Sequence, residues 1–234
     1  MTPVVALVVA HRGGADLART LASVAWMADR YVVDPGGVLS PGTWPSSAGH
    51  WTASGVHGWV LLLAEGEVVS EGFAAALAPL ERSDVEAYRL AVECRAFAGV
   101  IRLRSRPVRL RRRMPHEIRV ALGGELTFAE SSGAPVLAAA AVTRHLPPLP
   151  GEAIDALNAE ASVLAALAAS RGVRPRAARL LASGLAGAAR VLLGRGHGRL
   201  GWGRWIAAVL TGYRALLAEA KLWERVQLGV SPPA

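Results

Sequence analysis

Residues 4–10 have the sequence VVALVVA, and residues 31–34 have the sequence YVVD. The first stretch is a continuous apolar and β-branched run, which is the pattern of a strand buried on both faces in a parallel sheet. Residues 11–14 between them predict a turn, and Asp16 is suited to cap a helix that ends near Ala28. A strand, a helix and a second strand in this order form a βαβ unit, which predicts an α/β fold.

The following part of the chain continues this alternation. Residues 35–58 are rich in Pro, Gly, Ser and Trp and are expected to be mostly loop. The run WVLLL at residues 59–63 predicts a third strand, and a helix is expected to start at Ser70. Two stretches with polar or basic alternation, residues 87–97 and 100–110, predict further strands.

The composition changes after Pro150, where helices are expected. Apolar residues recur at helical spacing over residues 152–170, and a last helix is expected over residues 204–225. Between them arginine alternates with alanine and leucine. No uninterrupted apolar run reaches about 18 residues, so we expect no membrane-spanning helix.

The charge balance of the chain is basic. The 26 Lys and Arg against 18 Asp and Glu give a net charge of +8, and Lys221 is the single lysine. A GC-rich genome explains this arginine excess as readily as attraction to an anionic partner, such as phospholipid head groups or a nucleotide diphosphate. Cys94 is the single cysteine, which excludes a disulfide within the chain and a zinc site made of cysteines. It also fits a reducing compartment.

Three segments share sequence features with one enzyme family. Residues 5–34 combine a strand, a turn, a helix that contains LASV and a strand that ends in VVD. Residues 59–70 have the sequence WVLLLAEGEVVS, and residues 198–224 begin with GRLG and end with AKLWE. In this order, the segments resemble the opening, the metal motif and the ending of bacterial family 2 glycosyltransferases, especially those of the lipopolysaccharide-core type.

The resemblance implies a GT-A-like fold, a Rossmann-like mixed sheet flanked by helices, over residues 1–150. A C-terminal helical segment would follow over residues 151–230. The implied activity is glycosyl transfer from a nucleotide diphosphate sugar to a lipid-linked or polysaccharide acceptor in cell-envelope glycan synthesis. In the family, an Asp-x-Asp motif at a strand end holds Mg²⁺ or Mn²⁺, which neutralises the leaving diphosphate.

The metal motif is where this chain departs from the family. Ala64 and Gly66 stand at the positions of the two aspartates, and Glu67 matches an acid that follows them. Alternation along an extended chain predicts that Glu65, at the spacer position, points away from the metal. Glu65 and Glu67 remain metal candidates through a one-residue register shift; otherwise Glu67 is a solvated or capping acid. Because the usual ligands are absent, no cofactor is assigned.

Five residues form the candidate donor-binding set: His11, Arg12, Asp34, Arg111 and Arg112. The resemblance implies that Asp34 contacts the nucleobase or ribose side of the donor, although an Asp before Pro-Gly also forms turns. His11 and Arg12 lie in the first loop, where an arginine suits a phosphate. Arg111 and Arg112 belong to a basic stretch that is a candidate to replace the charge of the cation.

Three residues are candidates for the general base that deprotonates the acceptor hydroxyl. His116 and Glu117 follow the arginine stretch closely and match the family's His-Glu pair in residue type. Glu125 has the better spacing but lacks a histidine partner. A base has to reach the attacking proton, which a sequence does not establish, so both assignments and the absence of a base stay open.

The C-terminal region interleaves arginines and aromatic residues with Leu, Ile and Val; the residues are Arg190, Arg195, Arg199, Arg204, Trp202, Trp205, Tyr213 and Trp223. This pattern favours helices that lie in a membrane interface, so we expect a cytoplasmic protein that is peripheral on the inner face of the cell membrane. A helical hairpin packed on the first domain or on a second subunit is the alternative. No nucleic-acid partner is expected, because no recognisable binding module is present.

Two functional hypotheses therefore remain. The first is a glycosyltransferase that works without its usual metal site. The second is a catalytically inactive pseudo-glycosyltransferase that acts as a scaffold or partner of a membrane enzyme. The sequence does not select between them.

Overall fold

The computed structural model of the protein describes residues 4–27, 29–34, 58–96, 99–102, 106–112, 118–121, 125–128, 133–145, 150–197 and 201–228. The predicted loop after Asp34 lies outside these residues up to position 57, as do His116 and Glu117.

The described residues form eleven strands and five α-helices, with six strands in succession before the C-terminal helices. The strands are β1 (Val4–Val9), β2 (Asp29–Val33), β3 (Trp59–Ala64), β4 (Glu67–Val69), β5 (Ala87–Ala96), β6 (Gly99–Arg102), β7 (Val108–Arg112), β8 (Ile118–Ala121), β9 (Glu125–Phe128), β10 (Val136–His145) and β11 (Arg195–His197). The helices are α1 (Ala15–Ser23), α2 (Phe73–Leu77), α3 (Pro150–Ser170), α4 (Ala177–Leu192) and α5 (Gly201–Leu228), and a 3₁₀ turn spans Ala78–Arg82.

A mixed sheet organises the fold. Its strand order is β11-β6-β5-β7-β3-β1-β2, and β10 pairs with both β5 and β4. Strands β1, β2 and β3 are parallel, whereas β7 runs antiparallel to β3. Strands β8 and β9 form a separate hairpin. The predicted α/β class, with a mixed sheet flanked by helices and a C-terminal helical segment, is confirmed.

Two predicted helix boundaries were wrong for local reasons. Helix α1 ends at Ser23 and is followed by turns. In these turns the N–H of Val24 donates to Leu21 O, and the N–H of Met27 donates to Val24 O. The helix expected from Ser70 begins only at Phe73, since the N–H and hydroxyl of Ser70 pair with Ala141 on β10.

The predicted strand over residues 100–110 is divided between β6 and β7. Strand β6 ends at Arg102, and β7 starts at Val108. Directly before β7 stands Pro107, which has no N–H to donate to a ladder. The last helix is longer than predicted, because it begins at Gly201 and ends at Leu228.

The C-terminal helices and the sheet share their apolar core. Ala161, Leu164 and Leu167 of α3 pack in one cluster with Leu7 and Leu62 of the sheet. In another cluster, Val191 of α4 and Ala207 and Ala208 of α5 pack on Val92 and Cys94 of β5. Helices α3, α4 and α5 therefore pack on the sheet, as the alternative of a helical hairpin on the first domain predicted.

One helix within the described residues, Gly151–Ser170, is long and apolar enough to cross a membrane by length and composition. Of its apolar window, 56% is buried inside the protein. The core helix of a protein outside membranes passes the same test, and here the helix carries the buried Glu160.

Candidate functional site

The carboxyl edge of the three parallel strands is the place where this topology forms a crevice. Helix α1 leads from β1 to β2 on one side, while β3 pairs with β1 on the other side. In open α/β sheets, ligands bind at such a switch point, outside the carboxyl ends of the strands. The loop of residues 10–14, Asp34 and the turn after β3 all lie at this edge.

The side chain of Glu65 occupies the loop that follows β1. Its Oε2 atom accepts hydrogen bonds from the backbone N–H groups of His11, Arg12 and Gly13 at 2.7, 2.9 and 3.0 Å. Gly13 and Gly14 have φ values of 75° and 73°, which residues with a Cβ rarely adopt. Consecutive N–H groups that converge in this way form an anion-binding nest. Here the anion is a carboxylate of the chain itself, and Glu65 is only 2% exposed.

The turn that carries Glu65 is anchored from two sides. The backbone N–H of Glu65 donates to Val9 O on β1 at 2.9 Å. The next N–H, of Gly66, donates to Thr20 Oγ1 on α1 at 2.9 Å, and that hydroxyl donates in turn to Asp16 O. Gly66 has a φ of 82°, which reverses the chain into β4. The position of Glu65 is therefore fixed by β1 and α1 together.

Glu67 faces the interior of the fold. Its Oε2 accepts from the N–H of Ala64 at 2.7 Å, and its Oε1 accepts from Arg109 Nη2 at 3.1 Å. Arg109 also donates to Leu62 O, and both charged side chains are buried. The interpretation of Glu67 as a solvated acid was therefore wrong, because a buried arginine partner takes the place of water.

The two glutamates do not fit a divalent metal ion. One oxygen of Glu65 and both oxygens of Glu67 already accept hydrogen bonds from the protein. The two side chains also face different partners, a backbone nest and a guanidinium group. Within the described residues, no group of three or more His, Cys, Asp or Glu could hold a metal ion. We therefore derive no chemistry through a metal at this edge.

A second buried network covers the same edge. Glu160 on α3 accepts hydrogen bonds from Arg144 at the end of β10 and from Arg214 on α5, the latter at 2.6 Å. Burial alone raises the pKa of Glu160, but the charges of Arg144, Arg214 and His11 and the hydrogen bond from Arg144 outweigh it and lower the pKa to about 2. Arg144 also lies opposite Glu67 in the β10–β4 register. The network therefore joins β10, α3 and α5.

The structure places the predicted donor-binding residues at two opposite ends of the parallel strands, the carboxyl ends and the amino ends. His11 is buried with its Nδ1 3.6 Å from Glu65 Oε2, Arg12 is exposed, and Asp34 follows β2 at the same edge. Arg111 and Arg112 pair with Val60 and Trp59, at the amino end of β3. Val60 and Ala64 are four residue steps apart along β3, which corresponds to about 13 Å.

Arg112 has a structural partner at its own edge. Its guanidinium carbon lies 5.5 Å from the ring centroid of the buried Trp59. A cation over an aromatic face is a stabilising arrangement in its own right. This contact explains an arginine here without a donor phosphate.

The three candidates for the general base are not brought into this crevice by any described contact. Glu125 is the first residue of β9 and pairs with Ala121 of β8 in the separate hairpin. His116 and Glu117 lie outside the described residues. Their roles stay predictions from the sequence.

Four charged residues of the edge were missed by sequence analysis: Arg109, Arg144, Glu160 and Arg214. Arg109 and Glu160 carry a recognisable signal, because their neighbours Val108, Leu110 and Ala161 are apolar and buried. Such a charge needs a partner. Glu67, the partner of Arg109, is 42 residues distant in sequence, and Glu160, the partner of Arg214, is 54 residues distant. The sequence alone therefore does not identify these partners.

Comparison with known proteins adds no family. No protein-family model matches the chain, and no curated protein matches it in sequence. The kinship with glycosyltransferases therefore stays a prediction from three segments.

Proposed function

We propose that this protein is a catalytically inactive, glycosyltransferase-like protein that acts as a partner or scaffold of an enzyme in cell-envelope glycan synthesis. The observation that carries the proposal is the carboxylate of Glu65 in the nest of the β1–α1 loop. A donor diphosphate would have to displace this buried anion from the N–H groups at the switch point, and the displaced carboxylate would lose all three hydrogen bonds.

The remaining charges of the edge support the same proposal. Glu67 is neutralised by Arg109, and Glu160 by Arg144 and Arg214. Each of these three arginines donates to a carboxylate of the chain itself, so the contacts that a diphosphate would need are already made within the fold. They also suit a role in which the edge keeps the fold together.

Glycosyl transfer without a metal is the second candidate function. It is favoured by Asp34 and Arg12, which lie at the carboxyl edge where the resemblance implies donor contacts. It is weakened by the position of Arg111 and Arg112 at the opposite edge, since these were the arginines expected to replace the cation. We therefore place it second.

The deciding experiment is calorimetric titration of the full chain with nucleoside diphosphates and their sugars, with and without Mn²⁺ or Mg²⁺. We expect no binding and no hydrolysis of any donor. Micromolar binding that tightens with metal, or turnover that is abolished in Asp34→Ala, would overturn the proposal. Arg30→Ala, an exposed change on β2, is the matched control for Asp34→Ala.

A further inference from the structure

The longest segment of this chain without an acidic residue is residues 161–218. Residues 161–218 contain nine of the 26 basic residues, all arginine, and none of the 18 acidic ones. The rest of the chain therefore has 17 basic residues against 18 acidic ones and is close to neutral. General codon bias would spread arginine over the chain and would not remove Asp and Glu from one part of it.

The same segment exposes several large apolar side chains. Helix α5 presents Trp202, Trp205, Ile206, Val209 and Tyr213 outward, and we call this set the tryptophan face. Its members follow one another at helical spacing, so they lie on one side of the helix. Trp202 is 83% exposed, Trp205 57% and Val209 64%, which is unusual for apolar residues in one contiguous stripe.

The other sides of α5 are already occupied. One side packs on α4, where Gly187 and Gly212 bring the backbones together: a Cβ on Gly187 would lie 2.9 Å from Thr211 O. Another side faces α3, where Lys221 donates to Asn158 O and to Ser162 Oγ. The tryptophan face is therefore held on a rigid two-helix hairpin and has no partner within the described residues.

Arginines stand near both ends of this hairpin. Because α4 and α5 are antiparallel, with Arg179 Nε bonded to Glu219, the exposed Arg174 and Arg176 lie toward the end that carries Trp223. Arg204 lies beside Trp202 and Trp205 at the other end and donates to Gly194 O. Neither α4 nor the first four turns of α5 contain an acid that would repel an anionic surface.

We propose that the tryptophan face docks on an anionic membrane surface. Indole rings favour the head-group level of a bilayer, because they combine a large apolar body with an N–H donor. Arg204 beside the rings and Arg174 and Arg176 at the far end of the hairpin gain from the negative potential of phosphatidylglycerol-type lipids, by about 1 kcal/mol each near the surface. Because residues 161–218 contain no acid, this segment offers no carboxylate to the arginines of a second copy, whereas anionic head groups pair with them. This charge complementarity selects the membrane surface as the occupant.

This inference deepens the proposed function by naming the surface that a partner of a membrane enzyme would use, and it does not depend on the closed crevice. A transferase with a working donor site could dock in the same way. Failure of the donor titration and failure of lipid binding are thus separate results.

The test is flotation of the full chain with phosphatidylcholine vesicles that do or do not contain phosphatidylglycerol. We expect binding that requires the anionic lipid and weakens as salt rises. The double change Trp202→Ser with Trp205→Ser should weaken binding by about tenfold or more, because the docked apolar area is lost. Trp26→Ser, at an exposed tryptophan outside the hairpin, is the matched control and should bind as the parent does.

A second pair of variants tests the charge. Arg174→Gln with Arg176→Gln should reduce binding to the anionic vesicles by about tenfold and leave the melting temperature unchanged, since both side chains are exposed. Absence of flotation with either vesicle would overturn the inference. So would a dimer in sedimentation that Trp202→Ser with Trp205→Ser dissociates while vesicles stay unbound, because the face would then bind a second copy.

Discussion

Glu65 Oε2 lies 2.9 Å from the backbone nitrogen of Arg12, although the two residues are 53 positions apart in sequence. A carboxylate at the end of β3 thus fills the loop at the end of its neighbour β1. The contact joins the two strands across the point where this fold would be expected to take a ligand.

Removing this carboxylate should both weaken the fold and open an anion site. For Glu65→Ala we expect a loss of about 2–4 kcal/mol in the free energy of unfolding, since three N–H groups lose a charged acceptor. Inorganic phosphate should then raise the melting temperature of the variant but not that of the parent. Thermal unfolding with phosphate and with equal chloride measures this.

Glu65→Gln is the matched control for that experiment. The amide keeps the shape and one acceptor oxygen, so we expect a smaller loss, about 1–2 kcal/mol, and no response to phosphate. A parent protein that phosphate stabilises as strongly as the alanine variant would contradict the nest assignment.

The buried pair of Arg109 and Glu67 should be sensitive to single changes. Arg109→Met leaves Glu67 buried without the donor 3.1 Å away, and we expect it to cost about 3–5 kcal/mol. Combining it with Glu67→Gln should cost clearly less than the two single changes added together. Denaturant unfolding of the four proteins gives the coupling energy, and additive costs would show that the pair is not coupled.

Acid should destabilise the protein through Glu160. Its pKa falls from 4.5 to about 2 on folding, because Arg144 and Arg214 outweigh burial. A depressed pKa adds stability that is full above the unfolded pKa and is lost as the pH falls through the folded one. We therefore expect a decline between about pH 5 and pH 2, worth about 3 kcal/mol in all.

Urea unfolding at a series of pH values measures this decline. Glu160→Gln should unfold more easily at neutral pH, because it leaves two arginines without their carboxylate, and its stability should fall less steeply in acid. An acid slope identical to that of the parent would show that Glu160 does not titrate in this range.

The contact of α4 with α5 should distinguish two neighbouring glycines. A Cβ on Gly212 would lie 2.8 Å from Gly184 O, so Gly212→Ala should cost about 1–3 kcal/mol. A Cβ on Gly184 would meet Leu216 at 3.4 Å, which is an ordinary contact. Gly184→Ala should therefore be neutral or stabilise by up to about 1 kcal/mol through helix propensity. Equal melting temperatures for the two variants would contradict this packing.

The sequence predicted the parts of this molecule that depend on local pattern. The runs at the start of the chain and after Gly58 are buried strands, and helical spacing located α3 and α5 within a few residues, whereas α4 was not predicted as a separate helix. Both features follow from the period of apolar residues, which is visible in one segment at a time.

The candidate site depends on contacts that no single segment contains. Alternation along a strand predicted only that the side chain of Glu65 points away from a metal. Strand β3 ends at Ala64, however, and the turn at Gly66 directs this side chain into the loop that follows β1. Arg109 lies in the same basic stretch as Arg111 and Arg112, yet its side chain is buried and pairs with Glu67. The backbone dihedral at Gly66 determines the orientation of Glu65, and the distant partner Glu67 determines that of Arg109. The local spacing of apolar and polar residues predicts neither.

The nest around Glu65 also has a consequence for motion. Loops that admit ligands usually open at low free energy and exchange their amide hydrogens quickly. The amides of His11, Arg12 and Gly13 are instead held by a buried carboxylate that β1 and α1 keep in place. Their hydrogens should exchange with solvent only when the sheet itself unfolds. The loop therefore belongs to the cooperative unfolding unit of the core and not to the parts of the surface that open locally.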